Sequence, residues 1–211
     1  MDKQQMETRK EIRHLPFQNN SFGIRSIIGE DGVERHTLYG SIKYNSLSVV
    51  MEDYWGDKFV EEISEGAFDE SIKNGVVKSL WCHQTSQVLG STKSGTLRIT
   101  INGGQIDFEN DLPNNTWGAD ARESVQRGDV DGVSFGMIVK EERWSKTEVN
   151  GEEIYKRSIL KAEIFELSPT AFPAYPENTV NCRSLEQFKA EEKRSSAEFR
   201  KRRIMLALDL L

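Results

Sequence analysis

Short runs of β-forming residues, separated by turn signals, follow one another along most of this 211-residue chain. The clearest runs are rich in β-branched and aromatic residues: 35–42, 58–63, 76–83, 97–101, 105–109 and 159–168. Two helices are predicted among them, at 67–73 and 116–127, and strands do not alternate regularly with helices. The pattern predicts a mainly β protein (α+β), a barrel or sandwich with helices flanking it.

Local turn signals predict some of the strand connections. Residues 89–92 and 97–101 are expected to form the two arms of a hairpin around Lys93-Ser94-Gly95. Pro169, with two further prolines after it, is expected to prevent regular pairing beyond the last strand.

Composition shifts divide the chain into three parts. We predict a flexible polar segment at 1–22, a folded domain at 23–183 and a charged, amphipathic helical tail at 184–211. The start of the chain lacks the apolar region of a secretory signal, and no apolar run approaches the ~20 residues of a membrane span. We therefore expect a cytoplasmic protein without membrane partners.

Charge and cysteine content restrict the chemistry further. The net charge of −6 gives no electrostatic reason to expect nucleic-acid binding. Two cysteines are too few for a disulfide framework. No paired Cys or His spacing of the kind that binds zinc is present, so we expect neither a metal nor another cofactor.

The segment Gly128–Gly136 combines a turn with the start of a strand. Val133 and Phe135 are predicted on one face of that strand, and Ser134 and Gly136 on the other. A serine in this position is either a turn residue that extends into a strand or a nucleophile on a rigid element. The glycines would give a substrate backbone room to approach.

Three histidines are available as a general base. His14 lies in the polar start of the chain, and His36 is most simply an exposed strand residue. His83 ends a predicted strand and opens a polar loop, where catalytic groups are often presented, but a structural histidine fits there equally well. Cys82 is a poor partner for His83 because neighbouring strand residues point to opposite faces.

The last predicted strand offers a carboxylate partner. Glu166 ends an otherwise apolar row, where a buried carboxylate needs a histidine or a basic residue beside it. Glu163, on the mixed face, is the fallback. Ser134, His83 and Glu166 thus form a candidate triad, with backbone N–H groups near 132–136 or in a neighbouring loop to bind an oxyanion.

Six ordered groups of residues make the chain resemble the prohead proteases of tailed bacteriophages, the HK97-type family. They are Leu38-Tyr39-Gly40 with Asn45-Ser46; residues 59–63 with Gly66-Ala67-Phe68-Asp69; Leu80-Trp81-Cys82-His83; Val88-Leu89-Gly90 with residues 93–97; residues 127–136; and Glu166-Leu167-Ser168-Pro169-Thr170 with residues 172–175.

The resemblance implies a serine endopeptidase with a herpesvirus assemblin-like β-barrel core. Members cleave scaffold segments and capsid-protein precursors inside the immature head and often cleave themselves. The family's histidine falls on His83 and its nucleophile on Ser134; Glu166 is placed third, with Glu163 in reserve. The implied partners are the capsid precursor and scaffold, in a procapsid assembled in the host cytoplasm, and the implied oligomer is a dimer.

Two other classes of function are consistent with the sequence. The first is a non-enzymatic assembly or scaffolding protein that retains the protease fold, which the acidic charge and interaction-prone tail would suit. The second is a different acyl hydrolase, acting on small esters.

Overall fold

The computed structural model describes residues 10–16, 22–28, 32–53, 55–171 and 183–208, and at 14–16, 183 and 204–208 it describes the backbone alone. The strands are β1 (Lys10–Pro16), β2 (Gly23–Ile28), β3 (Glu34–Lys43), β4 (Met51–Glu52), β5 (Lys58–Ile63), β6 (Lys78–Leu80), β7 (Val88–Ser91), β8 (Leu97–Asn102), β9 (Gln105–Asp111), β10 (Gly132–Val149) and β11 (Glu152–Thr170). The helices are α1 (Asp69–Asn74), α2 (Thr116–Arg127) and α3 (Arg183–Leu208). Single 3-10 turns form at Trp81–His83 and Thr92–Ser94.

The long antiparallel hairpin of β10 and β11 is the centre of the larger sheet. Its strand order is β1-β10-β11-β5-β4, and β6 extends β11 in parallel and carries β7. Asn150 and Gly151 connect the two long strands, and both adopt positive φ, as a tight turn between twisted strands requires. The hairpin therefore carries one strand, β1, on its β10 side and several on its β11 side.

A second sheet covers the first, and the main hydrophobic core lies between them. The second sheet has the antiparallel order β2-β3-β9-β8. It contributes Leu38 and Ile106 to the core, while the hairpin contributes Phe135 and Ile164; all four are at most 3% exposed. The mainly β class, with a curled sheet forming a half-barrel and a C-terminal helix, is confirmed.

Helix α2 forms where local sequence signals predict it. The Asn115 side chain accepts a hydrogen bond from the Gly118 N–H, which caps the start of the helix. Gly128 ends it in the left-handed conformation, with φ of 78°. Ala121 and Val125 are its buried apolar side chains, one turn apart. Strand β5, at Lys58–Ile63, also has the predicted bounds.

Strand pairing differs from the prediction at two places. β7 and β8 do not form a hairpin with each other: β7 pairs with β6, and β8 pairs with β9. Pro169 does not end the pairing, because it lies within β11 opposite Val133. On the other side of β11, β6 pairs only with Glu166 and Leu167, so Pro169 is outside that second ladder and its missing N–H is tolerated.

Part of the segment expected to be flexible is a strand. Residues 10–16 form β1, which pairs antiparallel with β10 and so belongs to the larger sheet. The pattern in this stretch is obscured by charged residues that the fold pairs and partly buries, notably Glu11 and Arg13.

The tail is helical from residue 183 to residue 208, and its first turns dock onto the larger sheet. Leu185 is fully buried beside Phe59 and Trp144. The Trp144 indole N–H donates to the Ser184 hydroxyl at 2.9 Å. From residue 193 to residue 203 every side chain is exposed, so only the beginning of α3 packs on the domain.

Candidate active site

Ser134 lies near the start of β10, between two neighbouring strands. His14 of β1 is its register partner on one side and Ser168 of β11 on the other. The Ser134 side chain is fully buried, and its hydroxyl donates a hydrogen bond to the carbonyl oxygen of Arg13 at 3.0 Å. The candidate nucleophile is therefore held by the N-terminal strand.

The pairing of β10 with β11 places Ser134 on the same sheet face as Glu166. Directly opposed residues of an antiparallel pair point to one face, and here Ser134 opposes Ser168 while Gly136 opposes Glu166. Ser134 and Gly136 share a face of β10, and Glu166 and Ser168 share a face of β11, because side chains alternate. All four residues therefore lie on one face at adjacent positions.

Gly136 is needed in that row because of its neighbour. A β-bulge leaves Phe165 without a partner in β10, and its ring lies over Gly136. A Cβ at position 136 would come within 2.6 Å of two ring atoms. Glycine thus allows the Phe165 ring to cover the strand beside Glu166.

His83 lies on a turn, and not on a strand as predicted, where it contacts Glu166. The predicted strand at 76–83 is only Lys78–Leu80, followed by the 3-10 turn Trp81–His83. Cys82 and His83 both have positive φ, 47° and 64°, which is uncommon for residues other than glycine and found at functional sites. β6 pairs with β11 at Glu166 and Leu167, so the turn that directly follows β6 lies beside this part of β11.

The imidazole of His83 contacts the Glu166 carboxylate closely. His83 Nδ1 lies 2.5 Å from Glu166 Oε1, and the Glu166 side chain is only 9% exposed. An ionised carboxylate can only accept, so Nδ1 carries the proton and Nε2 is the nitrogen left to act as a base. This is the arrangement that orients a catalytic histidine in an acyl-transfer triad.

The structure brings together His83 and Glu166 but gives the Ser134 hydroxyl a different partner. That hydroxyl bonds to the Arg13 carbonyl and not to His83. Glu163, the alternative carboxylate, lies opposite Ile138, on the same sheet face but farther along the strand, and not on the other face as predicted. Its side chain is about half exposed and pairs with Lys140 at 3.2 Å. Of the two carboxylates, Glu166 is the one in contact with His83.

Ser168 also belongs to this group, although it is not among the residues predicted from the sequence. Its hydroxyl donates to Glu166 Oε1 at 2.5 Å, and its side chain is fully buried. The available signal was its spacing: a residue two positions after Glu166 in a strand shares the same face.

The backbone of β10 is an unsuitable oxyanion site over Gly132–Gly136. This segment is paired with β1 on one side and with β11 on the other. Its N–H groups point alternately into the two ladders, where they are already used. The second expectation, that donors come from a neighbouring loop, stays a prediction.

His36 forms a polar network on the second sheet. Its Nδ1 lies 2.8 Å from the Ser26 hydroxyl and its Nε2 2.8 Å from the Arg122 guanidinium. The second nitrogen connects β3 to α2, which accounts for the residue as a structural one. The side chain of His14 lies outside the described residues.

Cys82 is poorly suited to nucleophilic attack. Burial raises the pKa of its thiol above the ordinary value, which keeps it protonated at neutral pH. We expect a Cys82→Ser variant to process substrate within about twofold of the wild-type rate, because serine retains the size of the side chain. Loss of cleavage in a folded Cys82→Ser protein, measured from initial rates, would reassign the nucleophile.

A buried cluster of charges fixes β1 to the sheet. The Arg157 guanidinium donates to Glu11, Glu61 and Glu142, with nitrogen–oxygen distances of 2.8 Å to Glu11 and 2.9 Å to Glu61. Arg13 donates to Glu61 as well, at 2.9 Å through one of its nitrogens. Burial alone would raise the pKa of Glu61, but these two arginines outweigh it and lower that pKa. Glu61 is therefore ionised at neutral pH.

A second carboxylate group lies where the tail helix docks. Oxygens of Asp53, Asp57 and Glu186 approach within 4.8 Å of one another, a spacing that could hold a metal ion. The ammonium group of Lys189 already forms ion pairs with Asp57 and Glu186, so the negative charge of these carboxylates is balanced by a side chain of the protein itself. It shares no residue with the Ser134 face.

In the part of the chain that the structure describes, no helix is long and apolar enough to cross a membrane.

The fold is that of a known protease. The structure of the bacteriophage T4 capsid assembly protease matches with a TM-score of 0.50 and 9% sequence identity, over 79% of this chain and 99% of that one. The sequence model for the caudovirus prohead serine protease family matches residues 25–191. The chain belongs to that family. No curated protein matches its sequence.

Proposed function

We propose that this protein is a serine endopeptidase that cleaves scaffold segments and capsid-protein precursors inside the phage prohead during capsid maturation. The observation that carries the proposal is the 2.5 Å contact between His83 Nδ1 and Glu166 Oε1, on the same sheet face as Ser134. Membership of the prohead serine protease family supports it.

In the proposed mechanism Ser134 is the nucleophile and His83 the base. The Ser134 hydroxyl leaves the Arg13 carbonyl and turns toward His83 Nε2, which takes its proton as the oxygen attacks the scissile carbonyl carbon. The imidazolium then protonates the leaving amine, and water hydrolyses the acyl-enzyme by the reverse proton path. Glu166 holds the Nδ1–H tautomer and stabilises the positive charge.

The partners and location follow from the same proposal. The substrates are the major capsid precursor and scaffold, and the enzyme acts in the procapsid interior, assembled in the host cytoplasm. The exposed part of α3 after residue 192 suits docking onto scaffold or capsid protein. Self-cleavage at 183–196 would require α3 to unwind, because these residues are helical. Dimer formation, and the absence of nucleic-acid or membrane partners, are parts of this proposal.

The experiment is co-expression of the protease with its capsid precursor, followed by mass spectrometry of the products. The wild type is expected to release defined fragments, and Ser134→Ala none, because a methyl group cannot attack a carbonyl. Ser145→Ala, on the same strand outside the site, is the matched control and should cleave normally. Normal processing by a folded Ser134→Ala protein would refute the assignment.

One observation favours a second candidate, a non-enzymatic assembly protein. The Ser134 hydroxyl is fully buried and bonded to Arg13, an arrangement that a purely structural serine would also adopt. This candidate predicts that the wild type never processes the precursor, while deletion of 184–211 abolishes incorporation into heads. Fragments that depend on Ser134 would exclude it.

A further inference from the structure

We propose that Ser168 is a positioning residue for the His83–Glu166 pair. This inference rests on the proposed function and extends it to a side chain in contact with the carboxylate. Its role is to hold one oxygen of Glu166 where the imidazole of His83 meets it.

The geometry concentrates two donors on a single oxygen. Ser168 Oγ and His83 Nδ1 both lie 2.5 Å from Glu166 Oε1. A carboxylate that accepts hydrogen bonds is favoured in its charged form, and two donors on one oxygen restrict rotation of the group. The hydrogen bond from Ser168 thereby fixes the orientation in which the Glu166 carboxylate meets the His83 imidazole.

The position of Ser168 in the sheet gives it no other evident task. It opposes Ser134 across the ladder and shares the face of Glu166, two residues earlier. It is fully buried, so its hydroxyl needs a partner inside the protein. A buried serine with a purely structural role could donate its hydrogen bond to a backbone carbonyl, whereas the Ser168 hydroxyl donates to the carboxylate that contacts His83.

The first test compares variants kinetically, with a peptide that spans a bond cut by the wild type. Ser168→Ala is expected to lower kcat about tenfold, the effect of losing a hydrogen bond to a charged group, with KM within about twofold. Ser168→Cys keeps the shape but offers only a weak donor, so it should be nearly as slow. Ser158→Ala, a buried serine of the same strand, should keep the wild-type kcat. A wild-type kcat in Ser168→Ala, or full recovery in Ser168→Cys, would overturn the proposal.

The second test does not need activity. In protein labelled with ¹⁵N-histidine, the Nδ1–H proton of His83 is identified by its loss in His83→Gln. Ser168→Ala is expected to move this resonance and speed its exchange with water, and an unchanged resonance in a folded variant would contradict the inference. Because this readout is independent of cleavage, it separates failure of the Ser168 inference from failure of the proposed protease function.

Discussion

Replacing His83 with alanine is expected to slow precursor cleavage by at least about 10⁴-fold, comparable to the loss from Ser134→Ala. In the proposed mechanism the imidazole takes the proton of Ser134 and returns it to the leaving amine. Its Nδ1 contact with Glu166 holds the ring in place, and an alanine side chain can neither make that contact nor accept a proton. Rates would be measured by quantifying the precursor and its fragments over time in purified reactions.

The double variant supplies the control for this expectation. Residues of a triad act as a unit, so His83→Ala added to Ser134→Ala should cost little more than either alone. Losses that multiply would show that the two residues act separately.

The choice between the two carboxylates is tested by the same assay. Glu166→Gln should lower the rate by about 10²- to 10⁴-fold, because the amide cannot stabilise the imidazolium as a carboxylate does. Glu163→Gln should leave it unchanged, because that side chain pairs with Lys140 at the surface.

Replacing Arg157 with methionine is expected to destabilise the domain by about 3–5 kcal/mol. Arg157 is 5% exposed and donates to three carboxylates, which would lose a shared partner while remaining largely buried. The free energy of unfolding would be measured by urea titration at pH 7. Arg143→Met is the matched control, because that arginine lies on the same hairpin but is exposed, and it should change stability by less than about 0.5 kcal/mol.

The effect of Arg157→Met should depend on pH in a defined direction. Although burial opposes ionisation of Glu11 and Glu61, their arginine partners lower both pKa values below the ordinary 4.5. A carboxylate whose pKa is lower in the folded state contributes stability above its unfolded pKa and loses it as the pH falls. The wild type should therefore approach the variant in stability as the pH falls below 4.5. A difference that stays constant down to pH 3 would contradict the proposed charge cluster.

Secondary-structure elements that depend on neighbouring residues alone were predicted from the sequence. β5 is a short run rich in β-forming residues, and α2 is closed by Gly128, so both were predicted with the bounds they have. The mainly β class follows from the many such runs. The failed hairpin at 89–101 shows the limit, because strand partners are chosen by packing between distant segments, which no local pattern contains.

The site was predictable to the extent that strand alternation determines it. Alternation placed Ser134 correctly on the face opposite to Val133 and Phe135. The predicted row of Glu166 with the preceding apolar residues was wrong, because the β-bulge at Phe165 turns Glu166 to the face opposite to Ile164. The turn at Trp81–His83 was not predictable, since positive φ at two residues other than glycine is imposed by tertiary contacts. Because that stretch was interpreted as a strand, the approach of His83 to Glu166 could be suspected only from the chemistry of the pair.

Arg13 connects the stability of the fold with the chemistry of the site in a single residue. Its side chain belongs to the buried charge cluster, and its carbonyl oxygen holds the Ser134 hydroxyl. A substitution that loosens the cluster is therefore expected to alter the resting orientation of Ser134, the proposed nucleophile, even where the domain still folds. In a genetic screen, such mutations would be recorded as defects of head maturation, although none of the altered side chains touches the substrate.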